Sequence, residues 1–315
     1  MSAAGGHEVA AGWGILRPVG LSAAGRHRNR LWAAMAGGVV ILALELIAGL
    51  AGNSLALLAD AGHVFADVSG MALSLTAIRL ASRPASTTRS YGWYRLEIVA
   101  AVANAILLLG IAAFIFWEGV RRLDSHPDVN SGLVMGVAAV ALAGNFLALW
   151  LLLPGRRESL TMRGAYLEVA GDLLGAAAVL VAGVVIAATG ITAADAIASM
   201  LIAVLILPRT WSLLRDSVDV LLEATPKGVD LDKVRDHILE APGVEAVHDL
   251  HAWTITSGMN VVSAHVVVGP EANPGAILDH LGMCLSDDFD IDHSTFQLEN
   301  AEHVLWEGRA EQVRH

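Results

Sequence analysis

Ionisable residues occur inside a stretch of the chain that is otherwise apolar. Asp60, His63 and Asp67 lie within residues 54–78 at positions i, i+3 and i+7, which share one face of a helix. Charged side chains inside a membrane are costly and by default mark ion or proton pathways. Because His63 and Asp67 are one helical turn apart, both can reach one ion. The spacing therefore predicts a cation site on the inward face of this helix.

A second apolar stretch, residues 165–188, carries Glu168 and Asp172, again at i and i+4. If the two helices face each other, they offer one imidazole and three carboxylates, a set that suits a divalent transition-metal ion near tetrahedral geometry. The alternative is that these groups only pair with one another as helix contacts. Two such pairs in two separate stretches are difficult to explain by packing alone, so we favour the metal site.

Asp60 and two further acidic residues in or beside apolar stretches have less certain roles. For Asp60, a packing contact and a part in the ion or proton pathway are both left open. For Glu45 in the first stretch, and for Asp195 at the start of the last, we favour helix contacts or proton access over direct metal ligation.

The composition explains what must hold these side chains. The 315 residues are 55% hydrophobic and only 16% charged, with a mean hydropathy of +0.57, whereas soluble domains carry about 25% charged residues. The single cysteine, Cys284, excludes a disulfide framework. Six apolar stretches are long enough to cross a bilayer: 31–52, 54–78, 97–120, 131–153, 165–188 and 191–213. We therefore predict an α-helical polytopic membrane protein with six transmembrane helices.

Arginines predict the orientation of these helices. They cluster before the first stretch and after the second, fourth and sixth, which by the positive-inside rule places both termini in the cytoplasm. We predict a cytoplasmic tail over 1–30, a membrane domain over 31–215, a cytoplasmic domain over 216–300 and a C-terminal tail over 301–315.

The predicted cytoplasmic domain is acidic. Residues 216–315 have a net charge of −14 and the rest of the chain +3, which argues against nucleic-acid binding and is compatible with cations. Asp230 and Asn273-Pro274 are typical helix starts, and 244–255, 260–268 and 294–299 have strand composition. The order helix, strand, strand, helix, strand predicts a small α+β ferredoxin-like domain. Met283 and Cys284 on its second helix are predicted to fill the core.

Several ordered motifs resemble those of the cation diffusion facilitator family, whose zinc transporters include the bacterial cobalt-zinc-cadmium resistance type. Residues 53–63, NSLALLADAGH, with Asp67 following, resemble the second-helix signature. Residues 91–97, YGWYRLE, are similar to the motif that enters the third helix, and 195–199, DAIAS, to the sixth. The resemblance covers about 28–299.

The resemblance implies that His63, Asp67 and Asp172 are transport-site ligands. It also implies export of a divalent cation, with zinc as the first candidate, in exchange for protons by alternating access. Glu168 departs from the histidine usual in zinc carriers, and carboxylates favour Mn²⁺ more than imidazole does. A carrier selective for Mn²⁺, Co²⁺ or Cd²⁺ is therefore an alternative.

The same resemblance extends to the soluble domain and implies a homodimer. Residues 247–253, VHDLHAW, 263–266, SAHV, and 293–299, HSTFQLE, resemble its cytoplasmic signatures. By analogy His248, His265 and His293 are candidates for a cytoplasmic metal site, together with Glu299. The alternative is that these histidines are ordinary side chains of a small sheet.

The sequence lacks the motifs of two other classes of membrane protein. A membrane metalloenzyme would often carry H-E-x-x-H, and a nucleotide-driven pump a G-x-x-x-x-G-K-[ST] loop; the sequence contains neither. The chain is therefore not expected to be an enzyme. A membrane metal-sensing protein without flux of its own is the remaining alternative. Short arginine-rich loops favour a bacterial-type plasma (inner) membrane.

Overall fold

The computed structural model describes residues 28–81, 86–125, 127–153, 160–291 and 293–303. The described residues form two compact units. One contains those up to 81 together with 127–195, and the other contains 86–125 with 196–303. Most of the predicted N-terminal tail lies outside the described residues, as does most of the predicted C-terminal tail.

Long helices make up the first two thirds of the described chain. They are α1 (Arg28–Ala51), α2 (Leu55–Ala81), α3 (Leu96–Ser125), α4 (Ser131–Leu152), α5 (Leu160–Thr189) and α6 (Ala193–Leu221). Among the described residues, those at 96–125, 131–150, 169–189 and 193–221 are long and apolar enough to cross a membrane. The helical membrane-spanning fold is thus confirmed, while the count of six spans stays a prediction for α1 and α2.

Within the first unit, α1 packs on α2 and α4 packs on α5. Small residues allow these helices to approach closely, as is usual in membranes. A Cβ atom placed on Gly183 of α5 would lie 2.7 Å from Cγ of Met135 on α4. Large apolar side chains such as Ile47, Phe146 and Val181 are exposed on the outside, as expected of surfaces that face lipid.

The remaining elements form a small α+β domain. They are α7 (Leu231–Leu239), β1 (Val244–Thr256), β2 (Met259–Val268), α8 (Pro274–Phe289) and β3 (His293–Glu299). The sheet order is β1-β2-β3, with β1 antiparallel and β3 parallel to β2. The predicted order of helices and strands is confirmed.

Local signals start both helices of this domain. The Asp230 side chain accepts hydrogen bonds from the backbone amides of Asp232 and Lys233, and that of Asn273 accepts one from Ala276, with Pro274 in the first turn. These side chains satisfy amides that have no partner within the helix.

One face of the sheet forms the core with both helices. Val234 and Ile238 of α7 and Leu281 and Leu285 of α8 are buried against inward-facing strand residues such as Val262. Cys284 is partly buried against this core. Met283 is 63% exposed, so its predicted core position is wrong, because the side chain lies on the outer face of α8.

Candidate metal centres

Three of the predicted transport-site residues meet in the first unit. Nε2 of His63 on α2 lies 2.9 Å from Oδ1 of Asp172 on α5 and 3.7 Å from Oδ2 of Asp67. Each residue offers one ligand atom, and the three atoms lie within 4.8 Å of one another. All three side chains are partly buried, with 14–27% of their surface exposed. The cluster can therefore bind one ion in a partly enclosed site.

The helix geometry explains this arrangement. His63 and Asp67 are one turn apart on α2, so they share a face, and α5 packs against α2. One neutral imidazole and two carboxylates carry a charge of −2, which a divalent cation balances. The fourth predicted ligand, Glu168, belongs to α5 one turn before Asp172, but its side chain lies outside the described residues.

Next to the cluster lies a pair of buried carboxyl groups, Glu45 on α1 and Asp60 on α2. Their relative exposures are 1% and 5%, and their side chains interact by a hydrogen bond. Oε2 of Glu45 has no hydrogen-bond partner among the described residues. Asp60 also interacts electrostatically with His63 and Asp172. The pair therefore lies within electrostatic range of the cluster.

Gly175 makes room for Asp60 between α2 and α5. A Cβ atom on Gly175 would lie 3.0 Å from Oδ1 of Asp60, which is tighter than ordinary van der Waals contact. The missing side chain allows α5 to pass close to this carboxyl group, three residues beyond Asp172.

The second cluster lies on the cytoplasmic sheet. His248 on β1 is paired directly with His265 on β2, and their ring centroids are 5.0 Å apart. Glu299 on β3 reaches both: its Oε2 is 3.2 Å from Nε2 of His248 and its Oε1 is 2.8 Å from Nδ1 of His265. The side chain of Glu299 is only 1% exposed. These two nitrogens and one carboxylate form the other group of metal-binding type among the described residues.

A β-bulge shapes this cluster. Between the pairs His248–His265 and His251–Ser263, β1 advances by three residues and β2 by only two. The extra residue on β1 is Asp249, which has a φ of +50°. Because of the bulge, both β1 histidines lie on the sheet face opposite the core.

The bulge also places the carboxylate of Asp249 among the histidines. Its Oδ1 lies 2.8 Å from Nε2 of His251, and its Oδ2 lies 3.9 Å from Nε2 of His265. The hydrogen bond with His251 is the main cause that lowers the pKa of Asp249. Sequence reasoning missed Asp249, although the pattern His-Asp-Leu-His contained a signal.

His293 does not join this cluster. It opens β3 opposite Val261 of β2, whereas Glu299 ends β3 opposite Val267. Six residues of strand span about 20 Å, which is too far for a shared ion. The His293 ring instead makes an edge contact with Tyr91, at 6.0 Å between centroids.

Further contacts of this kind tie the segment before α3 to the soluble domain within the second unit. The Glu97 carboxylate accepts hydrogen bonds from the hydroxyl groups of Thr256, at 2.6 Å, and Ser257, at 3.2 Å. Arg95 forms an ion pair of 2.6 Å with Glu223. The motif at 91–97 therefore contacts the end of the sheet where β1 turns into β2.

Apolar helices with a partly buried imidazole and carboxylates, followed by an α+β domain with its own ligand cluster, are the features of a membrane transporter for metal cations. Comparison with known families agrees. Residues 31–222 match the cation efflux transmembrane domain, and 226–301 match the cytoplasmic domain of cation efflux proteins. The chain belongs to the cation efflux family, as its motifs predicted. It is a transporter and not an enzyme.

Individual relatives are similar over most of their length. Metal cation efflux system protein CzcD of Cupriavidus metallidurans is 43% identical over 82% of this chain and 83% of its own. Zinc transporter ZitB of Escherichia coli is 38% identical over 81% of this chain and 82% of its own. A cadmium, cobalt and zinc/H(+)-K(+) antiporter of Bacillus velezensis is 37% identical over 82% of this chain and 84% of its own.

Among the solved structures that are similar to part of this chain is a domain of a relative. The metal-bound C-terminal domain of the CzcD transporter from Cupriavidus metallidurans is 46% identical, with a TM-score of 0.22, over 22% of this chain and 99% of that one.

Proposed function

We propose that this protein exports a divalent transition-metal cation from the cytoplasm in exchange for protons, with Zn²⁺ as the leading substrate. The observation that carries the proposal is the contact of His63 on α2 with Asp172 on α5, with Asp67 beside them. Glu168 is the fourth ligand in this proposal. Motions of helices around the site would expose it to each side in turn.

Donor chemistry supports a divalent transition metal. One imidazole nitrogen with carboxylate oxygens can hold Zn²⁺, Co²⁺ or Cd²⁺, and the oxygen-rich set also accommodates Mn²⁺. The relatives include proteins named for zinc and for cadmium, cobalt and zinc, which favours Zn²⁺ over Mn²⁺.

The chemistry of the same groups supports exchange for protons. Ligands must lose protons before they bind a metal, so metal entry releases protons and proton entry releases the metal. We assign Glu45 and Asp60 to this proton movement, because two adjacent buried carboxyl groups cannot both be ionised without a large cost. A relative named as an H(+)-K(+) antiporter agrees with coupled exchange.

The cytoplasmic cluster is proposed as a second metal station. His248, His265 and Glu299 would bind the ion, and His293 has a weaker claim because of its distance from them. We take 31–215 as the transport domain and 216–300 as a metal-binding and dimerisation domain of a homodimer. Both termini are proposed to lie in the cytoplasm and the helices in the inner membrane.

Metal uptake into proteoliposomes under an imposed pH gradient tests the function. The unaltered chain should accumulate Zn²⁺, and Asp67→Ala and Asp172→Ala should abolish the uptake. Asp279→Ala, which removes an exposed carboxylate from α8, is the matched control and should transport normally. Equal uptake in all four proteins would show that Asp67 and Asp172 do not form the transport site. Absence of uptake by the unaltered chain would reject transport and favour a sensing role.

A further inference from the structure

The first turn of α2 is held by a carboxylate from the start of α6. Oδ2 of Asp195 accepts a hydrogen bond from the backbone amide of Leu55 at 2.6 Å, and both oxygens lie 3.4 Å from the amide of Ala56. Oδ1 of Asp195 accepts a further hydrogen bond from the hydroxyl group of Ser54 at 2.5 Å. Asp195 is 2% exposed and Ser54 is fully buried.

Ser54 completes the arrangement. Its hydroxyl oxygen accepts a hydrogen bond from the backbone amide of Leu57 at 3.2 Å, as an N-cap serine does. The amides of the first turn therefore have acceptors, and the carboxylate lies at the positive end of the helix dipole. Both effects stabilise a negative charge at a position where water is excluded.

The chain order links this contact to the metal cluster. Asp195 lies six residues after Thr189, the last residue of α5. Its hydrogen bonds to Ser54 and Leu55 therefore connect the segment after α5 to the start of α2. The same two helices supply the ligands, His63 and Asp67 from α2 and Asp172 from α5. A rotation of α2 by one residue would move its side chains by about 100°, which would separate His63 from Asp172.

We propose that Asp195 is a positioning residue for the transport site: by holding Ser54 and Leu55 it sets the depth and rotation at which α2 presents His63 and Asp67 to Asp172. This inference rests on the proposed transport function. Asp195 itself is not a member of the described ligand cluster, so it acts through α2 and not on the ion.

The test compares Asp195→Asn, Ser54→Ala and Ser54→Thr in full-length chains reconstituted in proteoliposomes. Asp195→Asn removes the negative charge and replaces one of the two acceptor oxygens with an NH2 donor, and Ser54→Ala removes the hydroxyl link. We expect Asp195→Asn to raise the KM for Zn²⁺ by about tenfold, in the range of changes around metal ligands. Ser54→Ala should raise it less, and Ser54→Thr, which keeps the hydroxyl group, should restore it.

A spectroscopic readout separates positioning from general damage. The measurement uses Co²⁺ bound to a chain that carries both His248→Ala and His265→Ala, so that the cytoplasmic cluster does not contribute to the absorption. Asp195→Asn in this chain should weaken the visible absorption of tetrahedral Co²⁺, and Ser54→Thr should keep it. If Asp195→Asn does not fold, the difference between Ser54→Ala and Ser54→Thr decides the outcome.

Other roles for Asp195 predict different results. A direct ligand would lose all Co²⁺ absorption in Asp195→Asn while Ser54→Ala remained normal. A proton carrier would change the pH profile of uptake and leave KM unaltered. Either result would overturn the inference. A lack of uptake by the unaltered chain would instead reject the proposed function.

Discussion

Nε2 of His63 and Oδ1 of Asp172, which belong to different helices and are 109 positions apart in the chain, lie 2.9 Å from each other. This distance is that of a hydrogen bond. A bound metal would replace the shared proton, because the same lone pairs serve as ligands. The contact therefore represents one side of a competition between metal and proton.

Glu168→His should shift the preference of the site from Mn²⁺ towards Zn²⁺. An imidazole replaces a hard carboxylate oxygen, and nitrogen ligands favour Zn²⁺. We expect the ratio of the two uptake rates to change about tenfold, equivalent to about 1.4 kcal/mol. Competition between the two metals in proteoliposomes measures this ratio, with Glu271→His on the surface as control. An unchanged ratio would mean that residue 168 does not contact the ion.

The cytoplasmic cluster predicts that His265→Ala removes a zinc-binding site and that His293→Ala does not. His265 contacts Glu299, whereas His293 lies about 20 Å along the strand. Calorimetric titration of Zn²⁺ into full-length chains that carry Asp67→Ala would isolate this site. For His265→Ala we expect a loss of affinity of at least 10- to 100-fold. Equal losses in both variants would place His293 among the ligands.

Cys284 should react slowly with alkylating reagents at neutral pH. Burial raises the pKa of its thiol above the ordinary value of 9.0, and its Sγ donates a hydrogen bond to the carbonyl of Leu281. Since only the thiolate reacts, the alkylation rate should rise above pH 9. Met283→Cys in a Cys284→Ala chain supplies an exposed control, which should react faster at pH 7.

The same shift has a consequence for stability. A thiol pKa that is raised in the folded state stabilises the fold below the unfolded pKa, and this contribution is lost as pH rises through the folded value. Thermal unfolding should therefore show a small loss of stability above pH 9 that Cys284→Ala does not show. Identical pH profiles would contradict the assigned burial.

Glu97→Gln should loosen the contact between the segment before α3 and the β1–β2 turn. Hydrogen bonds that involve a charged group contribute about 1.5–3 kcal/mol, and partial exposure here reduces that figure. Amide hydrogen exchange at 254–260 should become faster in Glu97→Gln and in Thr256→Val. The effect of the double variant should be smaller than the sum of the two single effects, because both substitutions remove the hydrogen bond between Glu97 and Thr256. Additive effects would mean that the two side chains act independently.

Zinc should bring the soluble domains of the proposed homodimer closer together. Residues 216–315 carry a net charge of −14, so two copies repel each other and bound cations weaken the repulsion. Spin labels on Met283→Cys in a Cys284→Ala chain would report the separation with and without Zn²⁺. His248→Ala should suppress the change. The same distance in both conditions would count against this linkage.

Short-range patterns predicted much of this protein. Asp230 and Asn273 cap their helices as expected, because a cap depends only on residues within one turn. The strands agree within about two residues for the same reason, since alternation and turn residues are local signals. Helical spacing also predicted that His63 and Asp67 share one face of α2, where they meet Asp172 of α5.

What depends on contacts across the fold was not predictable. The link between Asp195 and Ser54 joins residues 141 positions apart. From the sequence alone, an acidic residue at position 195 was compatible with a helix contact and with proton access. The distance of His293 from Glu299 follows from strand register, which motif resemblance does not specify. Met283 was misplaced because methionine suits both a core and a surface that faces a partner.

The bulge at Asp249 also determines what a deletion in β1 would do. Removing this one amino acid would restore strict alternation between His248 and His251, and the later positions of the strand would keep their faces, because β1 carries one residue more than β2 at this point. Leu250 and Ala252 would stay in the interior, and the imidazole of His251 would stay on the outer face. A lesion of a single codon would thus spare the apolar packing while it removes the carboxylate that lies beside His251 and His265.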